Sequence, residues 1–165
     1  VENGVNVKVL TKRADFIDNF FGLLASYGNF DEKQYREHMA FGFTLTGHDE
    51  LERGASSNIE RIGAMEELHN RGYRIFASIE PIVDFPSSMQ MINGSLPFCD
   101  LYKIGLMSGN GVTYDPVEAQ NFLSELQQLP GQPKIYLKNS LVRFLGVDRK
   151  TLPENFVESN YNMFG

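Results

Sequence analysis

The sequence predicts an α/β protein: a partial (β/α) barrel of about five parallel strands with helices on the outer face. Three observations carry this. Five strand-like segments, Val7–Arg13, Met39–Gly47, Tyr73–Pro81, Leu101–Gly109 and Lys134–Ser140, are each separated from the next by a helical pattern. Such alternation implies a parallel sheet. Within the strands, side chains alternate between two unlike faces: Phe41, Phe43 and Leu45 oppose Gly42, Thr44 and Thr46, and Ile75, Ala77 and Ile79 oppose Phe76, Ser78 and Glu80. One greasy face suits a helix layer, whereas a doubly wound sheet is apolar on both faces. Finally, closing a barrel takes roughly eight strands. Five therefore make an open arc, or a wall completed by another part of the protein.

The elements follow in order. After the first strand, Asp15–Tyr27 carries Phe16, Ile17, Phe20, Phe21 and Leu24 on one stripe, with Gly28 as a stop. Ser57 and Glu60 have capping-box spacing ahead of Ile62, Met65 and Leu68, and Gly72 closes that helix. A shorter helix is expected from Ser88 to about Leu96, weakened by Gly94. Asp115 before Pro116 is a cap followed by proline at the first helical position, and Val117, Phe122, Leu126 and Leu129 form the expected apolar face. Ser140 caps a last short helix, Leu141–Leu145, stopped by Gly146. Residues 1–146 thus form the partial barrel. Residues 147–165 form a tail that packs on it through Phe156, Tyr161 and Phe164.

Composition narrows the function. The 165 residues are 42% hydrophobic and 22% charged, with a net charge of -6, as expected for one globular domain. No basic tract marks an unaided nucleic-acid surface, although Lys12, Lys103 and Lys138 can converge in a local basic cleft, so nucleic acid stays open as a partner. Cys99 is the single cysteine, which excludes an internal disulfide and any multi-cysteine metal site within this chain. No apolar run has membrane length and no signal peptide is visible, so no membrane partner is expected and a cytoplasmic location is. The chain opens on Val1 just ahead of a strand and reads as a piece of something longer.

In parallel α/β sheets, ligands bind beyond the carboxyl ends of the strands. Lys12, Thr46, Glu80, Lys103 and Lys138 gather there. A hydroxyl, a carboxylate and ammonium groups together suit a zwitterionic, hydroxyl-rich ligand. Other candidates are weaker. His48-Asp49-Glu50 has metal-capable side chains at a spacing that matches no familiar site. Gly105–Gly111 follows a strand and precedes a helix, where backbone amides can hold an anion, but it lacks the Lys-Ser/Thr of a P-loop. Cys99 reads as a small buried hydrophobe.

The segments VKVLTKR, FGFTLTGHDELERGASSNIERIGAMEELHNRGYRIFASIEPIVDF and FCDLYKIGLMSG, in that order, resemble the later part of a radical S-adenosylmethionine domain, closest to the group similar to spore photoproduct lyase. The matching features are the LTK strand, a polar end to the next strand, the ER-x-x-A-x-x-x-L-x-x-x-G run and the EPI strand. The resemblance spans Val7 to Gly109. In that family a CxxxCxxC loop holds a [4Fe–4S] cluster that reduces S-adenosylmethionine. This chain has neither that motif nor the glycine-rich stretch after the second family strand. The resemblance therefore implies a chain that starts near the third family strand. It would be the cofactor- and substrate-side portion of an iron–sulfur oxidoreductase or lyase, inactive alone.

By the same resemblance, Thr44, Thr46 and Glu80 would contact the cofactor, and Lys12, Ser78, Lys103 and Lys138 the substrate. No catalytic residue and no metal ligand is assigned. S-adenosylmethionine and the cluster would belong to the parent protein, with none bound to this chain. Its partners would be the missing N-terminal barrel segment, or a second copy paired at the exposed Val7–Lys12 edge. Ordinary alternatives stand beside these roles: Thr44 and Thr46 as plain β-formers, and Lys103 and Lys138 as solvated or paired with Glu80. Two other functions stay open, a non-catalytic binding or assembly module and an aldolase-type enzyme using Lys103 or Lys138.

Overall fold

The computed structural model describes residues 4–26, 31–107, 109 and 112–165. Five strands form one sheet: β1 (Val7–Thr11), β2 (Met39–Thr44), β3 (Arg74–Ile82), β4 (Leu101–Leu106) and β5 (Lys134–Leu137). Their spatial order is β1-β2-β3-β4-β5 and every neighbouring pair is parallel. The sheet is open, and its order never reverses. A chain that always steps the same way keeps its crossover helices on one face, as in a barrel wall.

The helices are α1 (Phe16–Ser26), α2 (Glu32–His38), α3 (Asn58–Asn70), α4 (Phe85–Ser95), α5 (Pro116–Gln127) and α6 (Asn139–Leu145). Phe41, Phe43, Leu45, Ile75, Ile79, Ile104 and Leu137 pack with Ile17, Met65, Leu68, Met89, Ile92, Phe122, Leu126 and Leu141 in one continuous core. Among the described residues the opposite face carries no helix layer. At its amino end Ala40, Phe76 and Leu101 pack under Met163, with Tyr161 and Phe164 beside it. The tail also reaches the far edge: Phe156 bridges Ile135 of β5, whose amide donates to the Asn155 carbonyl. At the other edge, β1 pairs only with β2 among the described residues, and Leu10 is 54% exposed.

Local signals account for several helix ends. Ser57 and Glu60 close a reciprocal capping box on α3, Asp115 caps α5 ahead of Pro116, and Gly146 ends α6 at φ 65°. Several expectations need correction. Four of the five strands end earlier than expected, while β3 runs one residue further to Ile82, so Lys12, Thr46 and Lys138 lie just past their strands. The helix after β3 starts at Phe85, three residues before Ser88, because the Asp84 carboxylate accepts the Ser87 amide and caps it. The last helix starts at Asn139, so Ser140 lies within it and is not its cap. Val117 sits in the first turn of α5 and is 67% exposed; the buried stripe is Ala119, Phe122, Leu123 and Leu126. α2 went unforeseen because Glu32–His38 has no buried residue; Asp31 caps it, accepting from the Lys33 amide. Tyr27 and Gly28, and Ser108, Asn110 and Gly111 of the glycine-rich loop, lie outside the described residues.

Candidate functional site

Strand register arranges the open face in layers, one residue per strand. Above the Lys8, Ala40 and Arg74 register at the amino ends, Leu10, Gly42, Phe76, Leu101 and Lys134 lie side by side. The next layer is Thr44, Ser78, Lys103 and Tyr136. Beyond it stand Glu80, Gly105 and Lys138. The sequence predicted a small or polar face throughout. Its lower half instead has an apolar centre, where Phe76 and Leu101 meet the tail, with Lys8, Arg74 and Lys134 in the same registers.

The upper half holds the polar groups. Lys138 Nζ donates directly to Glu80 Oε2, spanning β4. The pair crosses over Gly105, where a Cβ would sit 3.0 Å from Lys138 Cδ and 3.1 Å from Glu80 Oε1. A residue without a side chain is what lets them meet. Lys103 keeps no carboxylate partner among the described residues; its ammonium lies 4.8 Å above the Phe76 ring centroid. Burial, then the nearby charges of Lys8 and Lys138, hold its pKa below the ordinary lysine value, with Glu80 opposing. The Thr44 and Ser78 hydroxyls line the same face, both buried with no side-chain partner seen among the described residues.

Lys12 and Thr46 are committed elsewhere. Lys12 Nζ lies 2.9 Å from Glu52 Oε1, and the Thr46 hydroxyl donates to Glu52 Oε2 at 3.0 Å. Arg61, 0% exposed, donates to the same oxygen at 2.5 Å and to the Thr44 carbonyl at 2.6 Å. Burial pushes the Glu52 carboxyl up, but Arg61, Lys12 and Thr46 outweigh it and hold the group below the usual carboxylate value. Glu52 was missed in the sequence because it lies in a loop. Its partner left a trace: Arg61 falls on the stripe of Met65 and Leu68, where a cation needs an anion. Of the seven expected ligand residues, the open face thus gathers Thr44, Ser78, Glu80, Lys103 and Lys138.

His48-Asp49-Glu50 separates into two clasps. His48 Nδ1 lies 2.8 Å from Glu50 Oε1 and Nε2 lies 2.6 Å from Asp84 Oδ2, tying the β2–α3 loop to the cap of α4. Asp49 turns the other way and accepts from the Asn58 amide and side chain at 2.6 Å. Among the described residues no group of three metal-capable side chains converges. Glu50 and Asp84 raise the His48 pKa. A raised value means that the charged clasp stabilises fully below the histidine's unfolded pKa, about 6.5. That contribution is lost as pH rises through the folded value. We expect the wild-type midpoint in urea to fall over that interval and His48→Gln to flatten the fall; an unchanged slope in the variant would show the clasp carries no stability.

A cleft of about 550 Å³ opens at the opposite end, beside Arg36, His69, Tyr73 and Arg74. Its arginines donate to the carbonyls of Arg71, Arg36 and Glu37, which hold their side chains in place. Cys99 is 6% exposed, and burial pushes its thiol up to about 12. Among the described residues no helix is long and apolar enough to cross a membrane. Comparison with models of known protein families, with curated proteins and with solved structures finds no match.

Proposed function

We propose that this chain is the cofactor- and substrate-side portion of a radical S-adenosylmethionine enzyme, of the iron–sulfur oxidoreductase or lyase type. The observation that supports it is the open face itself. Five sequential parallel strands present Thr44, Ser78, Glu80, Lys103 and Lys138 together at their carboxyl ends, on the side without helices. The uncovered β1 edge suits pairing with a preceding β/α segment, or with a second copy. An iron–sulfur cluster does not fit the residues present, since the sole thiol is buried in the helix-side core. Cluster ligands, and the radical chemistry they support, have to come from outside these residues. S-adenosylmethionine fits better, as two hydroxyls and a carboxylate–ammonium pair can read its hydroxyls and its amino-acid end. Thr46, bonded to Glu52, lies at the rim of this face.

The test uses the longer reading frame. With an upstream cysteine triad and anaerobic reconstitution, the protein releases 5′-deoxyadenosine, and Glu80→Ala lowers turnover while the urea midpoint holds. A parent frame without the triad, or a fully loaded protein that makes no deoxyadenosine, overturns the proposal. The non-catalytic binding module then stands, and the tail packed over Ala40, Phe76 and Leu101 favours it, since it closes the lower half of the face from within the chain.

A further inference from the structure

Lys103 is the group on the open face to which the proposed function gives substrate contact but no chemistry. It stands at the centre of its layer, between Ser78 and Tyr136. Its amine rests on an aromatic ring, and the nearby carboxylate, Glu80, is already taken by Lys138. A lysine kept for charge normally faces water or an anion. This one is partly buried, beside other cations, with a carboxylate–ammonium pair one layer above.

We propose that Lys103 is a carbonyl-reactive amine that forms an imine with an aldehyde or keto group of a small anionic substrate. The free amine lone pair attacks the carbonyl carbon, and the C=O π electrons move to oxygen, which takes a proton from the Lys138 ammonium. Glu80 accepts the proton that the attacking nitrogen sheds. The nitrogen lone pair then expels the hydroxyl, which leaves as water with a proton returned by Glu80. Lys138 recovers its own proton when the nitrogen of the iminium gives one up. Amine plus carbonyl gives imine plus water, with no oxidant or reductant. Lys8 and Lys138 favour a substrate that also carries a carboxylate or phosphate, and the same charges, with burial, favour the free amine. The inference does not depend on the radical enzyme proposal, because it concerns this chain's own residues and needs no cluster.

The test is reductive trapping on the full chain. Glyoxylate, an aldehyde bearing a carboxylate, is added with cyanoborohydride at neutral pH, and modified lysines are mapped by mass spectrometry. Lys103 is expected to react about a hundredfold faster than the exposed Lys33, the low end of what positioned acid–base groups contribute. Glu80→Gln should slow labelling at Lys103 without changing it at Lys33. An advantage below about tenfold, or preferential labelling of Lys138, overturns the proposal, because a merely accessible amine behaves that way. Urea-unfolded protein supplies the reference in which the preference disappears. A missing deoxyadenosine signal from the longer protein leaves this result untouched, so the two proposals fail separately.

Discussion

Arg61→Ala is expected to be among the most damaging single substitutions in the chain. The guanidinium is fully buried and answers two needs at once: it neutralises Glu52 and caps the Thr44 carbonyl at the end of β2. Alanine leaves Glu52 inside with Lys12 and Thr46 alone, and the carbonyl without this donor. Removing one partner of a buried ion pair typically costs about 3–5 kcal/mol. For a chain of this size that lowers the melting temperature by about 6–20 °C. The comparison that matters is Arg61→Met with Glu52→Gln. If the cost is that of an orphaned charge, the double variant is more stable than the sum of the single losses. Additive losses would mean that Arg61 acts through packing alone. Glu52 also sets a pH signature. Its lowered pKa means that its stabilisation is present above the unfolded carboxyl value and lost as pH falls through the folded one, and Arg61→Ala should weaken that acid limb.

What the sequence made legible is what period and capping encode. Alternation in Met39–Thr44 and Arg74–Ile82 told the helix side from the open side, because a side-chain period of two survives any error at the strand ends. The capping box of α3 and the Asp-Pro start of α5 are local chemistry, readable without a partner. The failures share a different physics. Asp84 was passed over as a cap because its role depends on the chain turning directly out of β3. α2 has no buried residue, so no apolar period announced it. The packing of Phe76 on the open face depends on the tail, which returns Met163 to it from 87 positions away. Within the site, the lysines were visible but their pairing was not. That Lys138 takes Glu80 while Lys103 rests on the Phe76 ring follows from the gap over Gly105, a distance between three strands.

Gly42→Ala should perturb the open face from below. Gly42 lies beneath the Phe76 ring so closely that a Cβ there would stand 2.2 Å from two ring atoms, far inside contact distance. The ring has to move, yet Phe76 is 2% exposed and packs with Met163. Overpacking of this kind costs about 1–3 kcal/mol. The ring also carries the Lys103 ammonium, so its displacement changes the lysine's surroundings as well as the packing. Two readouts separate these effects. In urea, Phe76→Leu alone leaves a partial void, and adding it to Gly42→Ala should recover part of the lost midpoint, because the smaller side chain vacates the space the new methyl needs. In the glyoxylate reaction, both single variants should alter labelling at Lys103 and leave Lys33 unchanged. If Gly42→Ala matches wild type in both measurements, the ring is free to swing aside and does not fix the position of Lys103.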